Sequence, residues 1–253
     1  AKGNLLDDQI QRVCEKTRFL EIIHDFIVFD AGIKKTCRHN QYFGVKAAQK
    51  SIAKRQGGII WHTQGSGKSL SMVWLAKWIR EHKTDSRVLI VTDRTELDQQ
   101  IEEVFQGVDE KIERTTSGAG LIATLNQPSP WLICSPVHKF GRRGDDEDDE
   151  ATAGFLAELR NSLPQDFNAK GDLYVFVDEC HRTQSGKLHD AMKQILPEAI
   201  FIGFTGTPLL KMDKRKSVET FGPYIHTYKF DEAVEDGVVL DLRYEARDID
   251  QRL

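Results

Sequence analysis

The run His62, Thr63, Gln64, Gly65, Ser66, Gly67, Lys68, Ser69 follows a short apolar stretch at 59–61 and precedes a helix-like segment at 70–80. Chemistry on a dense negative charge needs many N–H donors at short range. Gly65 and Gly67 let the backbone turn its amides inward with no Cβ in the way, so the loop can form an anion nest. Lys68 then supplies a point charge for the outer phosphates of a nucleoside triphosphate, and Ser69 offers a hydroxyl to Mg²⁺. The N-terminus of the following helix adds its own partial positive charge. Thr63, Gln64 and Ser66 complete the ATP-binding loop. The general form of such a loop opens on Gly, where this chain has His62.

Two further clusters could complete a phosphoryl-transfer site. Tyr174, Val175, Phe176 and Val177 read as an apolar strand ending in Asp178, Glu179, Cys180 and His181. Carboxylates at the C-terminal end of a parallel strand face the place where open α/β sheets bind ligands. Asp178 is expected to share the Mg²⁺ with Ser69, and Glu179 to orient and deprotonate the attacking water, with His181 beside them. The third cluster, Thr205, Gly206, Thr207 and Pro208, ends the apolar run at 199–204. Its hydroxyls can bond His181 or Glu179 and pass the state of the nucleotide to the outer surface.

These residues need a scaffold, and the pattern around them supplies one. Short continuous apolar runs at 59–61, 88–92, 131–135, 173–177 and 199–204 alternate with helical patterns at 70–80, 95–105, 151–163 and 186–196. Unbroken apolar strands separated by helices predict a parallel sheet covered on both faces, an α/β fold. Apolar residues at three- and four-residue steps from Leu6 to Ile27 predict a helical arm, and a polar, basic stretch at 32–40 leads into a helix at 41–56. The acidic run at 145–150 reads as a solvated loop insertion.

Composition narrows the class. The 253 residues, 40% hydrophobic with a net charge of −4, suit one main domain with an appendage, and any nucleic-acid partner must meet a local basic surface. The four cysteines, Cys14, Cys37, Cys134 and Cys180, share no metal-ligand spacing. That fits reduced thiols in a cytoplasmic protein. No run is long and apolar enough to span a bilayer, so no membrane is expected.

Taken together, these motifs resemble those of superfamily 2 helicases and translocases: the phosphate loop, residues 91–94, Asp178 to His181 and Thr205 to Pro208. Ile60 to Gln64, Thr92 to Arg94 with Leu97 and Asp98, Asp178 to Arg182 and Phe204 to Leu209 sharpen the likeness to the motor of type I restriction enzyme R subunits, in which His at position 62 is usual. The segment Arg38 to Phe43, and Thr220 to Gly222, Tyr224, Tyr228 and residues 233–237 downstream, continue it. The resemblance implies a RecA-like P-loop NTPase domain at 38–240, preceded at 1–37 by a helical arm that follows a nuclease domain. It implies a connection at 241–253 to a second RecA-like domain bearing an arginine finger. It further implies ATP and Mg²⁺ as cofactors, Gln41 near the adenine, and DNA contacts through Arg94, Ser135, His138 and Lys139. The expected partners are double-stranded DNA and the modification methyltransferase and specificity subunits of a restriction-modification complex. Two other readings remain: another superfamily 2 motor, such as an RNA helicase or remodelling ATPase, and an ATP-sensing scaffold that does not hydrolyse.

Overall fold

The computed structural model describes residues 5–92, 95–136, 147–180, 183–207 and 218–241. Its centre is a seven-stranded sheet in which every pairing is parallel. In chain order the arm contributes helices α1 (Leu5–Val13) and α2 (Lys16–Asp25) and strands β1 (Ile27–Asp30) and β2 (Ile33–Thr36). Then come α3 (His39–Ala53), β3 (Gly58–His62), α4 (Lys68–His82), β4 (Ser86–Thr92), α5 (Thr95–Gly107) and β5 (Glu113–Arg114). The chain continues through α6 (Gly118–Leu125), β6 (Leu132–Pro136), α7 (Glu147–Asn161), β7 (Asp172–Val177), α8 (Thr183–Ile195) and β8 (Ile200–Thr205), and finishes with β9 (Tyr224–Tyr228) and α9 (Phe230–Glu235). The spatial order is β5-β6-β4-β7-β8-β3-β9, so β3, β8 and β7 lie side by side although far apart in sequence.

The strands are apolar throughout because both faces are covered. Ile60, Val88, Ile90, Tyr174, Phe176, Ile202 and Phe204 face one core, shared with Val45 and Ile52 of α3, Trp74 and Leu75 of α4 and Phe105 of α5. Their neighbours Ile59, Leu89, Val91, Val175, Val177 and Phe201 face the other, shared with Leu121 of α6, Leu159 of α7 and Met192 of α8. Side chains that alternate between two apolar layers account for the unbroken hydrophobic runs in the sequence. Among the described residues no helix is long and apolar enough to cross a membrane.

Arg87 is among the polar residues buried in this frame. Arg87, 1% exposed, donates to the carbonyl oxygens of Thr124, Leu125, Pro130 and Lys170 at 2.9–3.1 Å. Thr124 and Leu125 close α6, whose last carbonyls have no intrahelical donor; the guanidinium joins the Gln127 and Lys170 N–H groups in meeting them and faces the negative end of the helix dipole.

The structure corrects the expected arm. The helical stripe breaks at Cys14, where the Glu15 carboxylate accepts from the N–H groups of Thr17 and Arg18 and starts a second helix. It ends at Asp25 rather than Ile27, and the remainder of the arm is a β-hairpin turning through Ala31 and Gly32, both at positive φ. Phe26 and Val28 enter the same core as Tyr42 and Trp74, and the Ala31 N–H donates to the Gly107 carbonyl at the end of α5. Periodicity cannot foresee the burial of those two side chains, which pack the hairpin's start onto the core shared by α3 and α4. The stripe itself stays open: Leu6, Ile10, Val13, Leu20 and Ile23 are each about half exposed. A second correction concerns the acidic run, of which 147–150 are the first turn of α7. Acidic residues favour that position because they oppose the positive end of the helix dipole.

Candidate nucleotide site at the sheet edge

The loop after β3 holds itself open around its amides. Gly65 and Gly67 have φ of +80° and +84°, and Gly67 begins α4 without any side-chain cap on the first-turn N–H groups. The turn is braced inside by the Ser66 hydroxyl, which donates to the Thr63 carbonyl at 2.5 Å. It is fixed outside by the Thr63 N–H, which donates to the Tyr228 carbonyl of β9 at 2.9 Å. A positive-φ turn feeding an uncapped helix start is a cradle suited to phosphate oxygens.

Helix α3 walls one side. The Gln41 amide nitrogen donates to the Gly67 carbonyl at 2.9 Å, and its oxygen accepts from the Arg38 N–H at 2.8 Å. Asn40, fully buried, reaches the Ser66 carbonyl, and the Arg38 guanidinium the Gly65 carbonyl, each at 3.5 Å. Gln41, expected at the adenine, here has both ends of its amide bonded within the protein. A Cβ at Gly67 would lie 2.4 Å from its nitrogen, so Gly67 is needed for space as well as for its φ.

Lys68, the first residue of α4, crosses to the neighbouring strand. Its ammonium lies close against Gly206: a Cβ there would sit 2.7 Å from Nζ and 3.2 Å from the Gln64 nitrogen. Gly206 follows β8, whose Phe204 carbonyl accepts from the Cys180 N–H at 3.0 Å, and Cys180 follows Asp178 and Glu179 at the end of β7. The loop, the acidic pair and the Thr-Gly-Thr turn therefore meet on one sheet edge. Their union follows from the strand order, since β3, β8 and β7 are neighbours.

At the acidic pair, the Asp178 N–H donates to the Val91 carbonyl, and its buried carboxylate accepts from the Glu179 N–H at 3.0 Å. Glu179 has φ +48°, a left-handed conformation costly for a residue with a Cβ and often found where a site holds a side chain in place. Thr205 is fully buried, and its hydroxyl accepts from the Thr207 N–H at 3.2 Å while Thr207 is exposed, so the turn at 205–207 is tied to itself. Cys180 is buried against Gly203, and burial pushes its thiol far above the ordinary range, which leaves it a packing residue. The Ser69 hydroxyl and the Asp178 carboxylate are hard oxygen donors of the kind Mg²⁺ takes.

Of the expected DNA contacts, Ser135 lies at the end of β6 with 1% of its surface exposed, so touching a phosphate would require it to open. Arg94, His138 and Lys139 lie outside the described residues, as do His181 and Pro208. Residue patterns did not single out the partners of His62. It is fully buried beside His226 of β9, with Nε2 to Nδ1 at 2.9 Å, over Gly44 of α3. Past α9, Val239 covers Gly65, whose Cβ would lie 3.2 Å from a Val239 methyl. No sequence spacing relates residues 44, 62, 226 and 239.

Comparison with known proteins agrees with this fold. A family model for the SWI2/SNF2 ATPase matches residues 40–253. A putative type I restriction enzyme MjaIXP endonuclease subunit of Methanocaldococcus jannaschii is 33% identical, over all of this chain and 24% of its own length. Among solved structures, the Sulfolobus solfataricus SWI2/SNF2 ATPase core in complex with dsDNA matches 79% of this chain and 37% of its own, with TM-score 0.55 at 16% identity. A nuclease-deletion mutant of the type ISP restriction-modification enzyme LlaGI, in complex with a DNA substrate mimic, matches 81% of this chain and 21% of its own, with TM-score 0.56 at 15% identity. At those identities the two structures speak to the fold, which is the RecA-like one. The chain spans about a quarter of the length of the curated relatives it matches.

Proposed function

Since the chain belongs to the SWI2/SNF2 ATPase family, we propose that it is the first RecA-like motor domain of a type I restriction endonuclease R subunit, coupling ATP hydrolysis to translocation of double-stranded DNA. The observation that carries the proposal is the Lys68 ammonium seated against Gly206, on the sheet edge where β7 delivers Asp178 and Glu179. Likeness to type I restriction endonuclease subunits over the whole chain favours this motor over an RNA helicase or a remodelling ATPase. A carboxylate at 179 held in a strained conformation favours hydrolysis over passive sensing.

In this reading the loop amides and Lys68 bind and orient the triphosphate, with Gln41 and Arg38 on the side of the base. Ser69 and Asp178 would hold Mg²⁺, which would neutralise charge building on the phosphate oxygens. Glu179 takes the proton from the attacking water, and the turn at Thr205, Gly206 and Thr207 relays the loss of the terminal phosphate. DNA contacts would come from Arg94, His138 and Lys139, and from Ser135 once opened. Methyltransferase and specificity subunits would supply site recognition, and the cytoplasm the setting.

Phosphoryl transfer in such motors needs an arginine finger, worth on the order of 10³ to 10⁵ in rate, which the following RecA-like domain is expected to provide. The chain alone should bind MgATP and hydrolyse it barely, with no response to DNA. Joined to the following domain, it should hydrolyse faster on linear duplex DNA than on single-stranded DNA or RNA. Stimulation by RNA alone would refute the restriction reading. Glu179→Gln in that longer protein should keep ATP affinity and lower turnover by about 10²- to 10⁴-fold.

A further inference from the structure

The first residue of the phosphate loop is unusual in being large. Where the general loop has Gly, His62 fills a closed space between β3, β9 and α3. Room for the ring comes from Gly44: a Cβ there would lie 2.7 Å from His62 Cε1, 3.0 Å from its Nε2 and 3.7 Å from His226 Nδ1. Gly44 sits in the interior of α3, where glycine is poorer than alanine, and its φ is not positive, so space explains it rather than backbone freedom. A bulky residue at 62 and an absent side chain at 44 thus form one complementary pair.

The imidazole is bonded at one end only. Nε2 meets His226 Nδ1, while His62 Nδ1 is buried with no hydrogen-bond partner among the described residues. A buried N–H without an acceptor costs more than a bare lone pair, so the proton belongs on Nε2, and His62 donates to His226. The groups facing the pair are Lys68 from α4, His39 from α3, and Tyr228 and Glu232 from β9 and α9. Burial, then His226, Lys68 and His39, lower His62 to about 3, and burial also lowers His226, so both rings are neutral near pH 7.

The strand holding His226 is the one whose Tyr228 carbonyl fixes Thr63, and the Tyr228 hydroxyl donates to Asp236, which also meets His39 at 3.0 Å. Beyond Asp236 the chain folds back to lay Val239 on Gly65. The loop is therefore gripped from beneath by His226 and from above by the segment that follows the same strand.

We propose that His62 and His226 form a positioning pair for the phosphate loop: the His62 ring, wedged over Gly44 and donating to His226, locks the start of the loop to the edge strand and so sets where Lys68 and the loop amides meet the triphosphate. This rests on the loop being an ATP site. The test measures binding of a fluorescent ATP analogue with Mg²⁺ to this chain and its variants, each checked for fold by circular dichroism. His226→Ala should weaken binding about tenfold, the size of one buried hydrogen bond. His226→Asn, whose side-chain oxygen can accept where Nδ1 did, should recover most of the loss, and Gly44→Ala, which displaces the His62 ring while meeting His226 only at an ordinary contact distance of 3.7 Å, should weaken binding similarly. If the unaltered chain fails to bind, the ATP-site reading falls; if it binds and folded His226→Ala and Gly44→Ala bind equally well, the pair has no positioning role. Nitrogen NMR of the unaltered chain decides independently of any variant: His62 should be an Nε2–H tautomer that stays neutral well below the ordinary 6.5. An Nδ1–H tautomer, or a ring that charges near 6.5, would overturn the proposal.

Discussion

At the scale of single residues, the site depends on places where a side chain is absent as much as on those that carry chemistry. Gly206 makes the case: its φ is not positive, yet its Cβ would come within 2.7 Å of the Lys68 ammonium. Nζ is the end of a flexible chain and can move aside cheaply, while the Gln64 nitrogen must give by only a few tenths of an ångström, so Gly206→Ala should lower the melting temperature only slightly. In the proposed ATP site the displaced ammonium would no longer match the outer phosphates. Because misplacement of about 1 Å can cost about 10²-fold in rate, turnover in the two-domain protein should fall by that order. Stopped-flow phosphate release together with a melting curve separates the two effects. Loss of stability with normal turnover would mean that Lys68 does not act from where it lies.

At the scale of elements, the parallel sheet brings β3, β8 and β7 together and so assembles the site, but the sheet must itself be held at β4. Arg87 does this by donating to four carbonyls, two of them at the end of α6. Arg87→Met would keep most of the volume and remove four hydrogen bonds, although the Leu125 and Thr124 carbonyls would keep the Lys170 and Gln127 N–H donors. A loss on the order of 3 kcal/mol is expected, read as a lower urea midpoint at unchanged slope. The hairpin β1–β2 is a second such element. With Phe26 and Val28 in the core beneath Trp74, it joins the arm to the domain instead of leaving it as a tether.

For the whole molecule, buried histidines make stability depend on pH. Burial lowers His62 to about 3 and lowers His189 and His226 below the ordinary 6.5. Between those limits the unfolded chain binds more protons than the folded one, so stability is full above 6.5 and declines as pH falls toward 3. His24, raised by Asp25 but exposed, opposes this only weakly. Glu21, lowered mainly by the Tyr42 hydroxyl and Lys46 against the cost of burial, adds its own loss only below its ordinary 4.5. The interval from 6.5 to 4.5 therefore isolates the histidines. Urea midpoints across that interval should fall with pH in the unaltered chain and fall less in His62→Gln; equal slopes would show that His62 is not neutral and buried.

The positive-φ loop between β3 and α4, the place of Asp178 and Glu179 after β7 and the α/β class were legible in the amino-acid sequence because each is local. Glycine spacing dictates a positive-φ turn, an unbroken apolar run dictates a strand buried on both faces, and a three-to-four repeat dictates a helix. Boundaries at 58–62, 86–92, 132–136, 172–177 and 200–205 fall within two residues of the apolar runs. The hairpin at 27–36 and the edge strand β9 were not legible, since Val28 and Tyr228 alone are buried in β1 and β9 and short, half-exposed strands carry little periodicity. Tertiary structure alone decided that residue 206 must make room for the amine of residue 68, that 44 must make room for the ring at 62, and that this ring leans on 226. Those relations join positions that no repeat or spacing connects, and they exist only because strand order and helix packing place distant segments within a few ångströms of one another.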